Sequence, residues 1–184
     1  MTRLEATSAL AEWFGAEPVI ASLGHPAYDL HATGDRDTYF YTWGSMGLAS
    51  SIGVGLAMAK PRKRVVVLDG DGSLLMNLGS LATIGWVKPR NLVLIVWDNA
   101  LYGTTGGQDT ATAHGADLAA AAKAMGISSS VIVKDVEELR RAAESSDVTT
   151  GPHVIIAKVT ENVPGAKPTL DYVEIKRRFM ATLT

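Results

Sequence analysis

At 184 residues, with 47% hydrophobic residues, the chain can bury a substantial core, and residues 1–184 are read as one domain. Its 17 basic and 19 acidic residues leave a formal charge of −2, and their scatter argues against a nucleic-acid or anionic-membrane surface. No stretch suits a bilayer span, Met1–Glu5 lacks the apolar centre of a signal peptide, and the absence of cysteine excludes disulfides and thiolate-held metals, so a cytoplasmic protein is expected.

Apolar spacing at Leu4, Leu10, Trp13 and Phe14 predicts a first helix over 3–14, and residues 18–21 a short strand ending at Leu23-Gly24-His25-Pro26. A helical turn near Tyr28–Leu30 and a strand over 39–42 follow. Gly44-Ser45-Met46-Gly47 then turns into a small-residue helix that stops before Pro61. Next come a strand from Val65, a Leu/Met-rich crossover helix over 74–86 and a strand from Leu92. Beyond a Gly/Thr loop the pattern predicts helix 116–124, strand 130–133, helix 135–145, strand 153–159 and helix 171–182. This alternation, with continuous apolar strands, predicts an α/β fold with a doubly wound, mostly parallel sheet and helices on both faces.

Two strand ends carry the chemistry. Val65–Leu68 runs into Asp69-Gly70-Asp71-Gly72-Ser73, and Leu92–Trp97 runs into Asp98-Asn99. In a βαβ unit both ends reach the rim where such sheets bind ligands. One carboxylate (Asp71) and one amide oxygen (Asn99) suit a hard cation such as Mg²⁺ that also takes diphosphate oxygens. Gly and Asp also make ordinary tight turns, but matched ends on two consecutive strands are more specific. Ser73 follows at a helix start, where free backbone amides suit diphosphate oxygens and its hydroxyl adds a donor. His25, in the loop after the first strand, reads as a half-exposed loop residue unless that rim binds a ligand, and His31, His114 and His153 read as ordinary histidines.

The Gly70-Asp71-Gly72…Asp98-Asn99 pair resembles the Gly-Asp-Gly…Asn-Asn signature of thiamine-diphosphate enzymes, with Asp98 in place of the first Asn. The likeness runs over residues 18–160 and is to the diphosphate-binding (PP) domain of that family. Gly44–Gly53, Asp69–Gly79 and Tyr102–Gln108 carry it further, to the sulfopyruvate decarboxylase β subunits and phosphonopyruvate decarboxylases. The resemblance implies thiamine diphosphate and Mg²⁺ as cofactors, held by Asp71, Asn99 and the backbone carbonyl of Leu101. It implies that the Gly44 carbonyl accepts from the aminopyrimidine and that Met46 wedges the cofactor into its bent form. Gly24, His25, Ser45, Gly70, Gly72, Ser73 and Tyr102 complete the expected cofactor contacts. Thr104, Thr105 and Gln108 would lie near the thiazolium as neutral hydrogen-bonders, so Met46, His25, Thr105 and Gln108 are the expected catalytic set.

The implied activity is decarboxylation of a small 2-oxo acid to an aldehyde and CO₂. Those relatives typically read Ser-Arg-Glu-Leu where this chain reads Pro26-Ala27-Tyr28-Asp29-Leu30, so the guanidinium that would suit a sulfonate or phosphonate is missing there. A family enzyme also needs a pyrimidine-binding (PYR) domain, whose Glu engages the cofactor. There is no room for it here, and no Glu of this chain is expected to face the site. A PYR-domain α subunit in an α₂β₂ or larger hetero-oligomer is therefore expected, with neither nucleic acid nor membrane as partner. The Tyr102–Gln108 run also resembles the β subunit of 2-oxoacid oxidoreductases, and an acetolactate-synthase-like carboligase is a second further reading. A cofactor-binding module without turnover is a third.

Overall fold

The computed structural model describes residues 1–163 and 165–184. The elements in chain order are α1 (Arg3–Phe14), β1 (Val19–Ala21), α2 (His25–Ala32), β2 (Tyr39–Tyr41), α3 (Ala49–Ala59), β3 (Val65–Gly70), α4 (Asp71–Met76) and α5 (Gly79–Val87). There follow β4 (Leu92–Asp98), a 3₁₀ turn (Ala111–His114), α6 (Leu118–Ala124), β5 (Ser129–Val133), α7 (Val136–Glu144), β6 (His153–Lys158) and α8 (Tyr172–Ala181). The six strands form one parallel sheet in the order β2-β1-β3-β4-β6-β5.

Both faces are covered, which is why the central strands are apolar without interruption. Along β3 and β4, Val66, Leu68, Val93, Ile95 and Trp97 pack into a core with α1, α2 and α7. The alternating Val65, Val67, Leu92, Leu94 and Val96 face a second core built with α3, α4, α5 and α6. The helix after β1 thus lies on one face and the helices after β3 on the other, leading to β2 on one side and β4 on the other. The chain reverses its winding between β1 and β3, and a crevice opens beyond their carboxyl ends. Gly70 pairs with Trp97, which brings Asp71 beside Asp98 at that rim.

The crossover departs from the single helix over 74–86 expected above. A helix starts at Asp71, breaks at Asn77-Leu78 and restarts at Gly79. Asn77 leaves helical geometry (φ −136°) because its amide is drawn sideways, donating to the Gly47 carbonyl at 2.9 Å and to Ser51 Oγ at 3.1 Å. The break therefore ties the crossover to the loop that carries Met46. Among the described residues no helix is long and apolar enough to cross a membrane.

Candidate active site

The crevice is lined by residues from six chain segments. Ser22, Leu23, His25 and Pro26 follow β1, Met46 precedes α3, and Gly70, Asp71, Gly72 and Ser73 span the end of β3 and the start of α4. Asn99, Leu101, Tyr102, Gly103, Thr104 and Thr105 follow β4, while Arg3 begins α1 and Glu161 follows β6. Of the expected site residues, His25, Met46, Gly70, Asp71, Gly72, Ser73, Asn99, Leu101, Tyr102 and Thr105 meet there. Gly24, Gly44, Ser45 and Gln108 do not line the crevice. Gly44 is exposed at φ +68°, Ser45 donates to the Trp43 carbonyl at 3.3 Å, and the Gln108 amide lies over Gly106.

Asp71 is 1% exposed. Thr110 and Thr112 donate to its Oδ2 at 2.6 and 3.1 Å, and no ion pair reaches it among the described residues. Burial pushes its carboxyl above the ordinary range against the pull of the Thr110 bond, and repulsion from Asp98 adds to the rise. The neighbouring Asp98 is neutralised instead: Lys158 Nζ lies 2.5 Å from its Oδ2, while Thr112 and the Ala100 amide donate to Oδ1 at 2.8 and 3.2 Å. A family-atypical carboxylate at this position is thus matched by a lysine one strand away. Asp71 is left as a buried acid without a cation, the environment in which a divalent ion is most strongly favoured.

The turn after β4 presents the complementary oxygens. Asn99 Oδ1 accepts from the Leu101 amide at 3.2 Å, and Ala100 is held in the left-handed region (φ +62°), costing roughly 1–2 kcal/mol for a residue with a Cβ. That strain is stabilised by the Asp98 contact and by Thr110 N donating to the Ala100 carbonyl at 3.0 Å. Tyr102 N donates to the Gln108 carbonyl at 2.8 Å. The Leu101 carbonyl takes part in neither bond. Carboxylate, amide oxygen and peptide carbonyl together are a donor set for a hard divalent cation, and the helix start at Asp71 offers amides to a diphosphate.

Close packing holds the walls. A Cβ on Gly72 would lie 2.4 Å from the Tyr102 ring, so this ring rests directly on the Gly-Asp-Gly turn. Gly24, at φ +77°, is pressed against Thr104, whose Oγ1 would lie 2.3 Å from an added Cβ. Gly24 therefore shapes the crevice from behind. The Met46 loop is fixed on both sides of Gly47, whose N–H donates to Ser73 Oγ at 2.9 Å and whose carbonyl takes the Asn77 bond. The Ser73 hydroxyl also pairs with Ser22 Oγ at 3.1 Å and is 5% exposed. That hydroxyl is engaged inside the fold, and it is the helix start that faces the crevice.

The expectation that no Glu faces the site is corrected. Glu161 lines the crevice, where Arg3 Nη1 donates to its Oε1 at 2.9 Å, His25 Nδ1 lies 3.2 Å from Oε2 and the Asn99 amide also donates to Oε1. The contact joins positions more than 150 residues apart, which no local pattern signals. Arg3 left a trace: a cation in the first turn of a helix is opposed by the macrodipole, and here it is 2% exposed. Burial lowers the His25 pKa, with Arg3 repulsion adding to this and Glu161 opposing it, so the balance favours the uncharged imidazole. Outside the crevice, His153 bonds Ser129 Oγ and the Asp147 carbonyl as part of the fold.

Comparison with known proteins shows the family and the fold. The family profile of the thiamine pyrophosphate enzymes' C-terminal TPP binding domain matches residues 24–157. A protein named sulfopyruvate decarboxylase subunit beta, from Methanococcus maripaludis, is 44% identical over 98% of this chain and 96% of its own length. Phosphonopyruvate decarboxylase from Streptomyces viridochromogenes is 38% identical over 95% of this chain, which spans 44% of that longer protein. The crystal structure of benzoylformate decarboxylase from Polynucleobacter necessarius superposes with a TM-score of 0.70 at 22% identity, over 92% of this chain and 34% of that one. By sequence and by fold, the chain belongs to the thiamine pyrophosphate enzymes, as their C-terminal TPP binding domain.

Proposed function

We propose that this chain is the diphosphate- and Mg²⁺-binding subunit of a split, cytoplasmic thiamine-diphosphate-dependent 2-oxo acid decarboxylase. It would act with a PYR-domain α subunit in an α₂β₂ or larger assembly. The observation that carries the reading is Asp71: a buried carboxylate with no cationic partner among the described residues, at the switch point of the sheet, lining the same crevice as Asn99 and Leu101. When bound, thiamine diphosphate supplies the electron sink for loss of CO₂ from a 2-oxo acid.

The residues here supply position and charge. Asp71, Asn99 and the Leu101 carbonyl would hold the metal, and the start of α4 the diphosphate. Met46, half-buried at the crevice, would set the cofactor's shape by bulk, because its loop is bolted to Ser73 and Asn77. Thr104 and Thr105 line the wall as neutral hydrogen-bonders for the substrate, and neutral His25 would donate or accept without adding charge. The relatives' names, the long Streptomyces protein and the open crevice support the partner and an acid-bearing 2-oxo substrate.

The test is reconstitution. The chain would be co-expressed with the PYR-domain protein that co-purifies with it from its own cells, and assayed with thiamine diphosphate, Mg²⁺ and a panel of 2-oxo acids including sulfopyruvate and phosphonopyruvate. CO₂ and aldehyde should appear with the pair and not with the chain alone. Cofactor binding by the pair without consumption of any 2-oxo acid would overturn the decarboxylase reading.

A further inference from the structure

Glu161 sits where an anion belongs. Its carboxylate collects two donors, the Arg3 guanidinium and the Asn99 amide, and lies 3.2 Å from the His25 imidazole Nδ1, all three converging on the crevice. Arg3 is itself a fixed receptor. Its side chain is 3% exposed, and Nε is pinned at 2.6 Å to Asp29, which is wholly buried. That leaves the Nη1–Nη2 edge, the part of a guanidinium that matches phosphoryl oxygens in pairs. Nη1 is taken by Glu161, while Nη2 is buried and has no partner among the described residues. Half of a bidentate site is thus occupied and half is empty.

The backbone around Glu161 is anchored, and its side chain is not. Thr160 exchanges hydrogen bonds with Met1 and Arg3, and Asn162 bonds the Leu4 amide and Asp29. The Glu161 side chain, by contrast, is 32% exposed and can turn outward without disturbing either neighbour. A diphosphate bridged by a metal on Asp71 and Asn99 would bring further negative charge beside this carboxylate. The two anions cannot share the donors.

We propose that Glu161 is a displaceable internal anion that holds the Arg3–His25–Asn99 subsite in the unloaded chain and yields it to the terminal phosphate of the diphosphate. This rests on the metal–diphosphate reading of the crevice above. Asn99 serves both ligands, its oxygen facing the metal and its N–H₂ the phosphate. Glu161 occupies Arg3 Nη1 in the free crevice, and its departure frees Nη1 beside the unpartnered Nη2.

The test is isothermal titration of the full chain with inorganic pyrophosphate in Mg²⁺, using wild type, Glu161→Ala, Arg3→Lys (which keeps a cation for Asp29) and the double variant. Folding of each is checked by circular dichroism. Glu161→Ala should bind pyrophosphate about tenfold more tightly, Arg3→Lys about tenfold more weakly, and the gain from Glu161→Ala should shrink in the Arg3→Lys background. Thiamine monophosphate, which lacks the terminal group, should bind equally to wild type and Glu161→Ala. Unchanged or weaker pyrophosphate binding by Glu161→Ala, with wild type binding normally, would overturn the displacement and leave the metal site standing. So would an effect confined to the KM of a 2-oxo acid in the assembled enzyme. Absence of Mg²⁺-dependent binding by wild type would overturn both.

Discussion

Asp71→Asn should make the metal-free chain more stable while removing its affinity for the cofactor. In the wild type, Thr112 Oγ1 bonds an oxygen of Asp71 at 3.1 Å and one of Asp98 at 2.8 Å, so the two carboxylates lie within about 6 Å. At an effective dielectric near 20, two full charges at that separation repel by about 3 kcal/mol. Lys158 cancels much of the Asp98 charge, leaving roughly 1 kcal/mol to recover. The amide oxygen of the substituted Asn can still accept from Thr110 and Thr112, so neither threonine hydroxyl is orphaned. Urea denaturation of the chain without metal should show that gain, and the melting temperature should rise by about 2–4 °C. Titration of thiamine diphosphate into the partner-assembled enzyme should show at least a hundredfold loss of Mg²⁺-dependent affinity. A variant less stable than wild type without metal, or one that binds cofactor normally, would refute the reasoning.

Other consequences are equally direct. Thr112→Val removes the donor shared by the two carboxylates and should destabilise the chain by roughly 1–3 kcal/mol in urea denaturation. Gly24→Ala forces a Cβ against Thr104 at a positive φ and should cost roughly 1–3 kcal/mol while weakening cofactor binding, both read by thermal melts with and without cofactor. In the assembled enzyme Met46→Leu should preserve hydrogen–deuterium exchange at the cofactor's thiazolium C2 and Met46→Gly should slow it; equal exchange in both would remove the steric role. At the far edge of the sheet, burial pushes the Asp35 carboxyl up, but the hydrogen bonds from Arg178 and Tyr41 outweigh it and hold it below 3.8. A lowered carboxylate stabilises the fold above its unfolded pKa, and that contribution fades as pH falls through the lowered value. Asp35→Asn should therefore cost about 1 kcal/mol at pH 7 and little near pH 2, measured by denaturation at both pH values.

The sheet was legible because its strands are buried on both faces: Val65–Leu68 and Leu92–Trp97 are apolar without interruption, and their ends name the rim. The Asp71–Asn99 pair was legible for the same reason, being fixed by strand register rather than by distant packing. The broken crossover was not, because Asn77 leaves the helix for the Gly47 carbonyl in the Met46 loop and for Ser51 in α3, about thirty residues away. Lys158, Arg3 and Glu161 were missed because each reaches the site from a different end of the fold. The anomaly of Asp98 in the family signature becomes intelligible only once Lys158 is seen beside it. The engagement of the Ser73 hydroxyl is likewise a tertiary fact, since the bond that takes it comes from the Met46 loop.

The proposed function requires a metal held by Asp71, Asn99 and the Leu101 carbonyl. A crystal structure of the chain assembled with its partner, grown with thiamine diphosphate and Mn²⁺ in place of Mg²⁺, tests this most directly. An anomalous peak at about 2.0–2.2 Å from an Asp71 carboxylate oxygen, the Asn99 amide oxygen and the Leu101 carbonyl, shared with two diphosphate oxygens, is the predicted result. A diphosphate bound in the crevice with its metal away from Asp71, or held there by side chains alone, would contradict it.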